Sequence, residues 1–339
     1  MSLIDHPSDY QKKSFAGRRR AVRLLGLAPV AAALGLPRAA EAGVTAAALA
    51  NVTLILGDQA TGTRALAEAA GVLGDTPYRF RWANFQGAAP LFEAQRAGSV
   101  DLAPAGDLPV LAAATGDPSL KIVAARAGSG SALGILVQEK SRIRHVADLK
   151  GHTVFVSSAR GSISQFQLYG ALAEAGLSVG DVSIRFVLPT DAFSGFTSGA
   201  IEVWATFDPY FGIAAQQGAR VLRDGMGINS GLGFFTASGA ALADPAKRAA
   251  LADVLRRLQR AGDWAVAHPE AYAQVYSTTT RVPLAAALQI TKRAALKQRF
   301  VIDADIAVLQ RVADFSYRNS ILPRAIDVRA ISDPGLASA

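Results

Sequence analysis

Cysteine is absent from all 339 residues, which excludes thiol catalysis, disulfide staples and cysteine-ligated metal or iron–sulfur sites. Histidine is scarce. His6, His145, His152 and His268 include no pair at metal-ligand spacing, which argues against a zinc hydrolase. No G-x-x-x-x-G-K-[ST] phosphate loop and no G-x-S-x-G nucleophile elbow occur. The string Gly128-Ser129-Gly130-Ser131-Ala132-Leu133-Gly134 has one residue too many for a dinucleotide fingerprint and reads as a loop. Charge is sparse too: 18% of residues are charged against 50% hydrophobic, enough to bury a large core and too little polarity for wholesale disorder. The net charge of +8 is half concentrated in residues 1–42, which hold seven bases and three acids. What remains is too weak a basic field for a nucleic-acid partner. Nothing in the pattern requires a cofactor.

The first 42 residues read as an export signal. Arg18-Arg19-Arg20-Ala21-Val22-Arg23 precedes an apolar run from Leu24 to Leu36, and Ala40-Glu41-Ala42 fits a small-x-small cleavage site. The apolar run is shorter than the ~20 residues a membrane span needs. Cleavage after Ala42 is the expectation, giving a periplasmic protein. The long polar lead and paired arginines resemble a twin-arginine signal, with Gly17 standing where that pattern has Ser or Thr.

Beyond the leader, short apolar runs alternate with helical periodicity. Val52–Gly57, Arg79–Asn84, Asp101–Pro104, Lys121–Arg126 and Leu133–Gln138 read as strands, and Thr153–Ser157, Val182–Leu188, Val203–Phe207 and Arg220–Leu222 form a second series. Ile163, Phe166, Tyr169 and Ala173 mark one helix face, with Gly176 as its stop. After Gly239 the pattern is helical, without clear strands. The length exceeds what one core usually supports, so two lobes are expected. The fold class is α/β: two doubly wound lobes joined by a hinge, with parallel sheets and a helical C-terminal segment. The first lobe is expected over 43–138, the second over 139–233, and the return to the first over 234–339. Such sheets bind ligands beyond the carboxyl ends of their strands, where helix N-termini present unpaired N–H donors able to hold an anion.

Several strings then match in order: Trp82-Ala83-Asn84-Phe85, Gly98-Ser99-Val100-Asp101-Leu102, Gly106-Asp107-Leu108-Pro109, Val146-Ala147-Asp148-Leu149-Lys150-Gly151, Leu188-Pro189-Thr190-Asp191-Ala192, Phe207-Asp208-Pro209-Tyr210 and Ala267-His268-Pro269-Glu270. Over about residues 51–330 the chain resembles the substrate-binding proteins of ABC importers in the aliphatic sulfonate, taurine and nitrate group. The resemblance implies a periplasmic binding protein type II fold and a small anionic ligand gripped between the lobes. It also implies a membrane permease as partner, and no reaction. Relatives on the same scaffold include desulfinase-like and pyrimidine-synthesising enzymes, and a ligand-sensing partner of a membrane regulator is a third reading. The enzymes rely on a reactive cysteine or a histidine-rich site, which this sequence lacks. Departures at Asp58, Thr61, Asn84 and Ala103-Pro104-Ala105 leave taurine, nitrate, a sulfate ester, an aromatic sulfonate or a pyrimidine precursor open as ligands.

The candidate ligand-binding residues follow from these loops. Gln59 stands at the family's glutamine after the first strand, with Thr61 beside it. Gly106 and Asp107 match a Gly-Asp turn, Asp107 serving either the ligand or the start of the next helix. Ser162 and Ser164 open the helix that runs to Glu174, where hydroxyls and backbone N–H groups can face the cleft together. Gln165 replaces a histidine of some relatives, and Arg160 can supply charge to an oxyanion. Asp191 and Asp208 either cap turns or meet ligand, Trp204 is either core or cleft wall, and Phe234 can line the cleft against an organic tail.

Overall fold

The computed structural model describes residues 44–294 and 296–339; the expected export signal over 1–42 lies outside them. The first lobe begins with α1 (Ala46–Ala50), β1 (Thr53–Gln59), α2 (Gly62–Ala69), β2 (Arg79–Phe85), α3 (Ala88–Arg96), β3 (Leu102–Gly106), α4 (Asp107–Gly116) and β4 (Lys121–Ala127). The second lobe holds β5 (Leu133–Val137), β6 (Thr153–Val156), α5 (Ile163–Glu174), β7 (Ser183–Phe186), α6 (Pro189–Thr197), β8 (Val203–Phe207), α7 (Tyr210–Gln216) and β9 (Arg220–Asp224). The chain returns through β10 (Leu232–Ala237), α8 (Gly239–Ala243), α9 (Pro245–Ala267), α10 (Pro269–Thr280), α11 (Leu284–Arg293), β11 (Lys297–Phe300) and α12 (Asp303–Arg318).

The first sheet runs β11-β4-β10-β3-β1-β2 and the second β7-β6-β8-β5-β9. Both are mixed where fully parallel sheets were expected. β10 lies antiparallel between β3 and β4, and β5 antiparallel between β8 and β9, because each is the first strand after a crossing and enters its sheet from the hinge side. β5 therefore belongs to the second lobe. The outward crossing lies at 128–132, before this strand, where the sequence reading had it after Gln138. An all-apolar strand fits either sheet equally well, so Leu133–Val137 carried no sign of its allegiance. β11 is a further correction: Lys297-Gln298-Arg299-Phe300, too polar to read as a strand, pairs antiparallel with β4 at the sheet edge.

Local chemistry explains the elements that frame the cleft. Ser162 caps α5, its Oγ accepting from the Gln165 amide at 3.2 Å, and Gly176 at φ 73° ends that helical segment. Asp244 accepts from the Ala246 and Lys247 amides and Pro245 follows at the first helical position, starting α9. The face of α9 that carries Leu251, Val254, Leu255, Leu258 and Ala265 is buried against the first lobe and the C-terminal helices. Among the described residues, no helix is long and apolar enough to cross a membrane.

The two lobes meet across their gap. The Phe166 ring of α5 packs edge-on to Phe315 of α12 at 5.5 Å, and Gly106 lies so close to Ile163 that a methyl group there would fall 2.4 Å from its Cδ1. Close approach is also exact at Gly262 in α9, where an added Cβ would sit 2.0 Å from the Leu296 carbonyl oxygen. Gly262→Ala should therefore cost about 2 kcal/mol through overpacking. Gly74→Ala, whose nearest new neighbour is 3.9 Å away, should stay within about 0.5 kcal/mol of the parent. Urea unfolding of the two variants checks the contrast.

Candidate functional site

A cavity of about 260 Å³ opens between the lobes, at the carboxyl ends of β1, β3 and β4 and beside both crossings. The crossings pack backbone against backbone. The Gly128 amide donates to the Gly231 carbonyl at 2.7 Å, and Gly130 and Gly231 have φ of 81° and 73°. A Cβ on either would lie 2.6 Å or closer to a carbonyl oxygen of the facing strand. The Gly-rich string that resembled a dinucleotide loop thus serves the hinge.

Three of the helix starts around this cavity are already occupied. Asp58 accepts from the amides of Gln59, Thr63 and Arg64 at 2.8, 3.0 and 2.9 Å, closing the start of α2. Asp107 accepts from the Leu108 amide at 2.7 Å and from the Ser230 hydroxyl at 2.6 Å, joining the start of α4 to the return crossing. Asp208 accepts from the Gly212 amide at 2.9 Å at the start of α7. Burial raises the pKa of all three carboxyls, opposed at Asp58 and Asp107 by these hydrogen bonds and at Asp208 first by Arg293. At the start of α5 the amides of Ile163 and Ser164 find no backbone acceptor among the described residues, and Ile163 lines the cavity.

Arg126, at the end of β4, is the group that sequence reasoning missed. What remains accessible of its side chain lines the cavity. Its Nε has no hydrogen-bond partner among the described residues, and the guanidinium lies 4.8 Å from the centre of the Phe235 ring. Burial depresses its pKa while Asp58 opposes the shift. An arginine nonetheless stays protonated, so a positive charge is held in a poorly solvated place without a bonded counter-ion. The signal was present as one charged residue in the otherwise apolar run Ile122-Val123-Ala124-Ala125-Arg126-Ala127. Asn229, from the return crossing, also lines the cavity with neither amide atom partnered among the described residues.

Of the residues singled out from sequence, Gln59, Gly106, Ser162 and Asp208 line this cavity. Gln59 already donates through Nε2 to the Pro104 carbonyl at 2.6 Å. Arg160 lies on an adjoining pocket at the mouth with Ser162, its guanidinium 5.4 Å from the Phe186 ring centre. The others lie elsewhere. Thr61 adopts a left-handed φ of 62° at the start of α2, its amide donating to Asn84. Ser164 is buried within α5, and its Oγ lacks a partner among the described residues. Gln165 accepts from the Gly161 amide and donates to the Tyr169 hydroxyl. Asp191 is exposed in the first turn of α6. Trp204 is fully buried among Phe193, Phe196 and Tyr210, its indole N–H donating to Ser157 at 2.9 Å. Phe234 is fully buried in the first-lobe core. Asp107 is buried against Ser230 rather than on the cavity wall.

Two mixed α/β lobes, two glycine-packed crossings and a cavity between them narrow the comparison to one kind of protein. The NMT1/THI5-like pattern matches residues 92–272. The chain belongs to that family. A protein of Escherichia coli (strain K12) named for binding aliphatic sulfonates is 32% identical over 263 residues, 74% of this chain and 78% of the relative. The solved structure of the alkanesulfonate-binding protein SsuA from Xanthomonas axonopodis pv. citri, bound to MOPS, superposes with a TM-score of 0.77 at 28% identity, covering 83% of this chain and 98% of that one. The periplasmic aliphatic sulphonate binding protein SsuA from Escherichia coli superposes at 0.70 with 30% identity, covering 82% and 91%. The architecture is that of SsuA-type periplasmic binding proteins.

In this NMT1/THI5-like chain a bidentate ion pair spans the lobes. Arg293 of α11 donates through Nε and Nη2 to Asp208 at 3.0 Å each, with the two side chains 22% and 10% exposed. Arg293→Gln leaves the carboxylate without its partner and should cost about 2–3 kcal/mol at neutral pH, discounted from a fully buried pair for partial exposure. Burial already raises the Asp208 pKa, and losing Arg293 raises it further. Protonation then favours the folded form, so the deficit is complete above that folded pKa and shrinks as pH falls toward about 4, the unfolded value. Urea unfolding at several pH values measures the narrowing gap between variant and parent.

Proposed function

We propose that this protein is the extracytoplasmic solute-binding component of an ABC importer and captures a small organosulfonate by closing its two lobes. The observation that carries the reading is Arg126: a deep-set cation with its Nε unpartnered, facing a cavity between two lobes. An oxyanion there would complete the hydrogen bonding that the protein leaves open. Ser162 and Ile163, at the start of α5, line the same cavity from the second lobe. An anion touching both sides stabilises the joined form over the separated one, and this differential contact is what drives closure.

Binding without reaction is the reading that suits the chemistry. The sequence contains no cysteine to act as nucleophile, and among the described residues none of His145, His152 and His268 lines the cavity. The names of the relatives indicate sulfonates as the ligand class. Periplasmic residence after cleavage behind Ala42, and delivery to a membrane permease, complete the proposal.

Arg126→Met tests it. Removing the charge should weaken alkanesulfonate binding about 100-fold in titration calorimetry, the scale for truncating one side of a desolvated charge pair. The unliganded variant should unfold at the same or a higher temperature than the parent, because a poorly solvated charge has been removed. Sulfonate binding at parental strength by Arg126→Met would refute the assignment.

A further inference from the structure

Behind Gln59 and Arg126 the cleft continues into a second chamber of about 160 Å³, which shares Gln59, Arg126, Ala132 and Asp208 with the first. That volume is close to the ~150 Å³ cavity that accepts a benzene-sized guest. Its wall includes Tyr272 and Tyr276, four residues apart on α10 and 3% and 5% exposed. Their rings meet edge-on at 6.0 Å. Burial raises both phenol pKa values, so both are neutral hydroxyls. Neither hydroxyl makes a hydrogen bond among the described residues, and neither oxygen is fully enclosed without one.

The other polar groups of the chamber limit what can enter. Asp58 already accepts three backbone N–H groups, and Asp208 is held by Arg293 and the Gly212 amide. A cationic group would meet Arg126 and find both carboxylates engaged. A purely apolar tail would leave two phenol hydroxyls desolvated and unpaired, at about 1–3 kcal/mol each. An uncharged oxygen function fits, because a hydroxyl or ether accepts from a phenol and a hydroxyl also donates to one.

We propose that this chamber is a subsite for an uncharged, oxygen-bearing end of the ligand, so that the protein selects hydroxylated organosulfonates over simple alkanesulfonates. The proposal rests on the reading of Arg126 as the seat of the sulfonate head, with the tail passing Gln59 toward Tyr272 and Tyr276. The first cavity carries the serine hydroxyls of Ser129, Ser158 and Ser162 at its wall but no phenol, and Ser129 and Ser162 are already engaged with Ser131 and the Gln165 amide.

The test is titration calorimetry with 4-hydroxybutane-1-sulfonate and pentane-1-sulfonate, which match in heavy-atom count and differ only in the terminal hydroxyl. The parent should bind the hydroxylated compound about 10-fold more tightly, the lower end of what unmatched buried hydroxyls cost. In Tyr272→Phe, Tyr276→Phe and the double variant, the ratio should fall toward one. Thermal melts without ligand establish that each variant is folded, and a single variant that folds suffices if the double does not. Equal binding of the two sulfonates by the parent overturns the subsite while leaving the anion site standing. A preference that survives removal of both hydroxyls overturns its placement in this chamber. Failure of the parent to bind either sulfonate overturns the underlying anion reading as well.

Discussion

A positive charge that the fold does not neutralise organises the cleft. Arg126 ends a strand of the first sheet, and only a residue there can be both held by the core and turned toward the gap between the lobes. Such a charge costs solvation energy and returns nothing to stability unless something negative arrives. The fold tolerates it by placing the guanidinium over Phe235 and leaving its cavity side accessible. A buried guanidinium paired within the protein would have been a structural feature; one left open is what the proposed external anion would pair with.

The acidic residues around it have the opposite character. Asp58, Asp107 and Asp208 are each bonded within the chain, at the start of α2, α4 and α7. Each carboxylate takes up N–H groups that would otherwise compete for an anion in the cleft. The starts of α2, α4 and α7 are closed internally, which leaves as open polar groups the Arg126 guanidinium, the Asn229 amide and, deeper, two phenols. Internal capping also explains how carboxylates can border an anion site without repelling its occupant outright, since their charge is taken up by backbone donors and, at Asp208, by Arg293.

Much of the scaffold was legible from sequence. β1, β4 and the core of the second sheet are short apolar runs with turn residues at their ends, β2 alternates arginine with aromatic residues, and α5 declared its buried face through Ile163, Phe166 and Tyr169. Sheet membership was not legible. Leu133–Val137 is apolar on both faces, so its pairing with β8 and β9 is a property of the hinge and leaves no mark in composition. β11 was hidden by Lys297 and Arg299, of which Lys297 is exposed and Arg299 pairs with the buried Asp305 carboxylate. At the site, the motif strings pointed to the loops but not to side-chain direction. Trp204 and Phe234 stand in strands that are apolar on both faces and could have turned either way; both face cores. Asp107 looked equally suited to ligand and helix, and only its bond to Ser230 separates the two. Arg126 lay outside every quoted string, although its position at the end of an apolar strand is where such sheets place ligand-binding groups.

The placement of these groups couples binding to hinge motion without any relay through the lobes. Arg126 stands two residues before the outward crossing, and Asn229 and Ser230 lie within the return crossing. Ser230 also donates to Asp107, which fixes the start of α4. An anion seated on Arg126 therefore acts on both crossings at their ends, where a small change in backbone angle moves the whole second lobe. The Asp208–Arg293 pair adds a protein–protein contact to the same joined state. Its strength matters for selectivity. A pair strong enough to hold the lobes together unaided would leave the ligand no equilibrium to shift, whereas partial exposure of Arg293 keeps the contact weak enough for occupancy of the Arg126 site to decide the outcome.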